Sequence, residues 1–153
     1  MRLYIFRHGH SLRMDEARVQ KDQERPLSDK GREESRLMAG VLAKKEPRPS
    51  VILTSPLKRA RQTAEEILPV LKPASGIKVF DPLSNIVPAS ELYDDLKKEL
   101  GSFPEMVIIG HQPQLGDLIV LLSGKSLELK TAGVAAFNIE DGFEASLLWN
   151  KNP

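Results

Sequence analysis

Leu3-Tyr4-Ile5-Phe6-Arg7-His8-Gly9 opens the chain with an apolar run that gives way at once to a cation, an imidazole and a glycine. A run this short, closed off by polar groups, fits a buried strand whose end is put to chemical use. Val51 to Thr54 and Met106 to Ile109 repeat the pattern, and they are followed by Ser55-Pro56 and Gly110-His111. Between the first two strands the spacing predicts a helix from about Asp29 to Lys44. Leu37, Val41 and Leu42 would lie on one side, with Ser28 as N-cap. A second helix is expected from about Leu57 to Leu71, capped by Ser55 with Pro56 at its first position, where a missing N–H is harmless. Ile77 to Phe80 reads as a short strand. Leu92, Leu96 and Leu100 recur at helical spacing on a helix from about Ala89 to Leu100. Pro113 opens a further helix, and the tail from about Leu127 to Trp149 alternates as two closing strands joined near Asp141-Gly142.

Strands alternating with helices imply an α/β fold, a three-layer sandwich with a largely parallel central sheet and an antiparallel edge. Ligands of such sheets bind beyond the carboxyl ends of the strands. The loops starting at Arg7, Ser55 and Gly110 would therefore converge on one crevice.

With 153 residues the chain has the length of one domain, so residues 1–153 are expected to form a single unit. Hydrophobic residues make up 41% and charged residues 28%, proportions that exclude a disordered chain. The absence of cysteine excludes disulfides, thiolate nucleophiles and Cys-ligated metal. The longest aliphatic run, Leu118 to Leu122, is far short of the roughly 18 residues of a spanning helix, so no membrane partner is expected. A strand that starts at Arg2 leaves no room for a cleavable signal peptide, which points to a cytoplasmic location.

Net charge is +1, but residues 1–72 carry 16 Lys/Arg against 10 Asp/Glu, while residues 73–153 carry 6 against 11. Every arginine lies within the first 61 residues. Guanidinium suits bidentate phosphate binding, so an anionic ligand is favoured. Arg18, Arg32, Arg36 and Arg48 read as solvated helix faces, and no basic stripe with interleaved aromatics marks a nucleic-acid binder.

Arg7-His8-Gly9 sets a guanidinium beside an imidazole, with a glycine that lets the backbone turn sharply or approach a ligand closely. Ser55-Pro56-Leu57-Lys58-Arg59-Ala60-Arg61-Gln62-Thr63 supplies a second arginine at a helix N-terminus, where free N–H groups and the helix dipole favour an anion. Arg61, two residues on, should point elsewhere. Gly110-His111 adds a second imidazole.

In this order and spacing the motifs resemble the histidine phosphatase superfamily, which includes the phosphoglycerate mutases. Arg7-His8-Gly9 matches its RHG signature, Gly110-His111 its later Gly-His, and Ser55 to Thr63 its Ser-Pro-x-x-Arg-Ala-x-Gln-Thr pattern. Arg25 to Gly31 looks like the segment that precedes its first helix. The short length, without a large inserted lid, resembles the SixA-type phosphohistidine phosphatases. The resemblance implies a phosphoglycerate mutase-like fold with His8 as nucleophile. Arg7, Arg59 and His111 would bind the phosphoryl oxygens, with no metal or organic cofactor required. A neutral imidazole can attack phosphorus if a backbone acceptor holds its other nitrogen.

His10 departs from the acidic residue the family often has after RHG, and it is a candidate for lining the substrate pocket or for a loop position in solvent. No motif locates a general acid, and Asp81, Glu91 and Asp94 are candidates by position alone. Imidazole leaves without help far more readily than an alkoxide, so a missing acid favours phosphohistidine. The expected reaction is hydrolysis of phosphohistidine on a protein, such as a histidine phosphotransfer domain. The alternatives are a small-molecule phosphomonoesterase and a non-catalytic module that binds phosphorylated ligands. Mutase activity would call for a more enclosed site.

Overall fold

A computed structural model describes all residues, Met1–Pro153. Six strands form one sheet in the order β3-β2-β4-β1-β5-β6. They are β1 (Arg2–Arg7), β2 (Val51–Thr54), β3 (Ile77–Val79), β4 (Glu105–Gly110), β5 (Val134–Ile139) and β6 (Ala145–Lys151). The pairs β1–β4, β2–β4 and β2–β3 are parallel, and β5 and β6 close the other edge in antiparallel fashion. The sequence implied this α/β sandwich with a largely parallel sheet, and it is what forms.

Alternation along the strands builds two cores, because successive side chains point to opposite faces. On one face Leu3, Ile5, Leu53 and Ile108 pack with Leu92, Leu96, Leu118 and Ile119, which belong to α4 (Ala89–Leu100) and α5 (Gln114–Ser123). On the other, Tyr4, Phe6, Ile52 and Ile109 pack with Met38, Leu42, Ala64 and Ile67, which belong to α2 (Asp29–Ala43) and α3 (Lys58–Leu71). A single-turn helix α1 (Met14–Ala17) and a 3-10 turn (Asp22–Glu24) lie in the long connection from β1 to α2. No helix is long and apolar enough to cross a membrane.

Two local expectations are corrected. The buried stripe of α2 is Gly31, Ser35, Met38, Ala39 and Leu42, and Leu37 is 59% exposed. The true stripe begins with a glycine and a serine, small residues chosen for close approach, which hydrophobic spacing does not register. The second correction concerns α3, which starts at Lys58 with Leu57 as N-cap and no side-chain cap. Ser55 does not cap it, and Pro56 lies outside it, because the Ser55 hydroxyl is engaged by His111 and by the Leu57 N–H.

The glycine of the Arg7-His8-Gly9 motif proves to serve a packing contact. A Cβ on Gly9 would lie 2.7 Å from the Gly31 carbonyl and from Ser35 Oγ, so the loop after β1 is pressed against the first turns of α2. A Cβ on Gly31 would in turn collide with the His10 carbonyl. Overpacking of this kind costs about 1–3 kcal/mol. Gly31→Ala is therefore expected to lower the melting temperature by several degrees, as read by circular dichroism, and an unchanged melting curve would contradict the interlock.

Candidate active site

The carboxyl ends of β1, β2 and β4 lie side by side, with Arg7 opposite Gly110 and Thr54 opposite Ile109. The ladder runs one residue further on both sides: the His8 N–H donates to Gly110 O at 3.1 Å and the Ser55 N–H to Ile109 O at 2.9 Å. Sheet geometry therefore brings His8, Ser55 and His111 together. The two imidazoles stand 4.9 Å apart between centroids, tilted by 51°.

Helix α3 fastens the surrounding loops. Arg59, Gln62 and Thr63 fall at i, i+3 and i+4, a spacing that puts them on one face. Thr63 Oγ1 donates to Arg59 O at 2.8 Å and accepts the Gly9 N–H at 3.0 Å. Gln62 Oε1 accepts the Leu27 N–H at 2.8 Å. Arg59, in the first turn, donates from Nη1 to Asp22 O at 2.9 Å and from Nη2 to Asp22 Oδ2 at 3.0 Å. The opposite wall is held by Gln114, whose Nε2 donates to Pro82 O and Val87 O at 2.8 Å each. Between those anchors Asn85 donates to Gln112 O at 3.2 Å and accepts the Gln114 N–H at 3.1 Å.

The result is a cleft of about 450 Å³ with Leu57 as its one hydrophobic lining residue. Arg7, His8, Arg59 and His111 all line it, as do Arg13, Arg25 and Asp22. His8 Nδ1 lies 2.7 Å from Gly9 O. A carbonyl can only accept, so neutral His8 carries its proton on Nδ1, and the Nε2 lone pair is unused by the protein. The Leu57 N–H donates to Ser55 Oγ at 3.2 Å, and His111 Nε2 lies 2.7 Å from the same oxygen, with the direction of that bond set by the His111 tautomer. With the Ser55 hydroxyl donating to Nε2, the proton of neutral His111 sits on Nδ1. Nδ1 is buried without a partner, and so is Nε of Arg7, whose Nη1 donates to Leu129 O at 2.9 Å. Unmatched buried donors are rare and call for an explanation. Here an anionic oxygen in the cleft would supply one.

Both imidazoles are held neutral. Burial pushes His8 down to about 3, helped by the charges of His111, Arg59 and Arg7 and opposed by the Gly9 hydrogen bond. His111 falls to about 4, again through burial first and then Arg59, with Asp22 opposing. Burial works to raise Asp22, but hydrogen bonds and charge from Arg25 and Arg59 outweigh it and hold the carboxyl below the usual range.

His10 is exposed and lines the mouth of the cleft, its Nδ1 2.6 Å from Ser28 Oγ, the side chain that caps α2. Arg61 is exposed and lies outside the cleft, as the helical spacing implied. Asp81, Glu91 and Asp94 are also exposed and away from it, Asp94 pairing with Lys97 at 3.0 Å. The carboxylate that does line the cleft, Asp22, escaped the sequence reading, because nothing in the run Arg13 to Arg25 separates it from Asp15, Glu16 or Glu24. Gln62 and Thr63 were visible as a motif, and the i, i+3, i+4 spacing from Arg59 could have disclosed their task.

Known proteins resemble this chain in sequence and fold. The profile of the histidine phosphatase superfamily (branch 1) matches residues 3–84. An uncharacterized protein of Picosynechococcus sp. is 37% identical over 139 residues, covering 88% of this chain and 82% of that protein. Phosphohistidine phosphatase SixA of Escherichia coli is 29% identical over 158 residues, covering all of this chain and 94% of that one. The structure of a protein histidine phosphatase SixA complexed with tungstate superposes with a TM-score of 0.89 at 26% identity, covering 99% of this chain and 97% of that one. The mutase-like sandwich without a large insertion is thus the fold of this chain, which belongs to the histidine phosphatase superfamily, branch 1, as a phosphatase of the SixA type.

Proposed function

We propose that this chain hydrolyses phosphohistidine on a protein, through a phosphoryl group carried transiently by His8 and without a metal ion. The observation that carries the choice of substrate is the state of Asp22. It is the cleft's only carboxylate and is held ionised between Arg59 and Arg25. An ionised carboxylate tied to two guanidiniums is a poor proton donor, and an alkoxide leaving group needs one. A phosphorylated imidazole with a proton on its other nitrogen departs as neutral imidazole and needs none. The similarity to the E. coli phosphohistidine phosphatase SixA supports the same substrate class.

In the first step His8 Nε2 forms a bond to phosphorus as the phosphorus–nitrogen bond of the substrate breaks. The cationic phospho-His8 ring keeps its Nδ1 proton on Gly9 O. Arg7, Arg59 and the Nδ1–H of His111 meet the charge on the equatorial oxygens, the part that metal ions take in many phosphatases. In the second step water adds to phosphorus, the bond to Nε2 breaks and neutral His8 returns, the water's proton passing to phosphate or solvent. The cleft's open, polar walls suit a histidine presented on a protein surface.

Phosphate release from a phosphohistidine-bearing protein in the presence of a metal chelator is the test of substrate and metal requirement. Undiminished release by the native protein and none by His8→Ala is expected. Equal efficiency on phosphoserine would overturn the substrate assignment, and loss of release with chelator would overturn metal independence.

The pH behaviour follows from the neutral imidazoles. His8 and His111 titrate far below the ordinary value of about 6.5, so kcat/KM should show no falling limb from His8 near that pH. NMR of the phosphate-free protein should find both rings neutral at pH 5, and a His8 midpoint near 6.5 would contradict the burial argument. The unfolded chain takes up these protons near 6.5 and the folded one only near 4 and 3, so stability present above pH 6.5 is lost as pH falls. The melting temperature should drop through that window, and less steeply in His8→Ala.

A further inference from the structure

We propose that Asp22 is a counter-anion built into the cleft, whose charge limits how tightly the phosphoryl clamp holds inorganic phosphate and so lets product leave. The inference rests on the reading of the cleft as a phosphoryl site.

Four guanidiniums line the cleft, those of Arg7, Arg13, Arg25 and Arg59, against the single carboxylate of Asp22. Their charges are not equally free. Arg13 turns to Asp15 and Glu16 at 3.1 and 3.6 Å. Arg7 has no carboxylate partner and donates to a backbone carbonyl. Arg59, whose side chain is only 9% exposed, is the one deep guanidinium paired with a carboxylate, taking Asp22 Oδ2 at 3.0 Å and also donating to the Asp22 carbonyl at 2.9 Å. The second carboxylate oxygen takes Arg25 Nη1 at 3.0 Å, so one negative charge bridges two arginines from separate segments. The field of Asp22 also reaches His111, where it opposes that of Arg59. A phosphate dianion in contact with Arg59 and His111 would therefore share its cations with a carboxylate and be repelled by it. A clamp without that opposing charge would keep its product.

The site of substitution is favourable for a test, since no residue from Arg13 to Glu24 is buried and the core is untouched. Asn at position 22 keeps the backbone carbonyl and a side-chain acceptor for Arg59 and removes only the charge. Inorganic phosphate is titrated into the native protein, Asp22→Asn and Asp22→Glu, following the His8 and His111 ring signals by NMR, with melting curves to verify folding. Asp22→Asn is expected to bind phosphate about tenfold more tightly, equivalent to about 1.4 kcal/mol. Asp22→Glu should stay near the native affinity, and Asp22→Ser, which discards the same charge, should move with Asp22→Asn. Where turnover is measured, kcat and KM should fall together in Asp22→Asn, the signature of slowed product release. Unchanged phosphate affinity in the neutral variants overturns the inference, and weaker binding overturns it in favour of a purely aligning role for Asp22. Failure of phosphate to shift the His8 and His111 signals of the native protein would overturn the phosphoryl-site reading itself.

Discussion

One hydroxyl holds the site together. Thr63 Oγ1 accepts the Gly9 N–H while donating to Arg59 O within its own helix, so the loop that carries His8 is fixed to the helix that carries Arg59. Both bonds are buried, and an unmatched Gly9 N–H there would cost about 1–3 kcal/mol. The position of His8 depends on this contact in two ways. It sets Gly9, whose carbonyl fixes the tautomer of His8, and it presses the loop against Gly31 and Ser35 at the start of α2. Sheet pairing between Arg7 and Gly110 adds the third coordinate by placing His111 beside His8. Strand ends supply proximity, and α3 converts proximity into geometry.

The electrostatic character follows from the same packing. Two imidazoles buried beside guanidiniums stay neutral at pH 7, which leaves the Nε2 lone pair of His8 free in the cleft. Positive charge comes from Arg7 and from Arg59, and Asp22 compensates the latter. Such a site is preorganised for an anion without being saturated by its own counter-ions, as stabilising charge spread over phosphoryl oxygens requires.

Much of this was legible in the residues. The apolar runs at Leu3, Val51 and Met106 marked the three strands, and the polar residues after each marked the convergence, because a parallel sheet aligns its carboxyl ends. What stayed hidden was short-range and steric. The buried face of α2 is read from Gly31 and Ser35, which hydrophobic periodicity ignores, and Leu37 drew attention to the wrong side. Ser55 and Pro56 imitate a helix start, yet the hydroxyl is taken by a histidine 56 residues away, a contact only the fold creates. Asp22 was indistinguishable from its acidic neighbours because its role depends on Arg59, whose approach to it no local pattern encodes.

Phosphoryl transfer through His8 would leave a transient phosphoryl group on that ring. The most direct test is to mix the native protein with a phosphohistidine-bearing protein, quench in alkali where phosphohistidine survives, and locate the phosphoryl group by peptide mass spectrometry. The phosphoryl group is expected on the peptide that holds His8, with fragmentation assigning it to that ring. Turnover with the group on His10 or His111, or with none on the enzyme at any time during the reaction, would contradict transfer through His8.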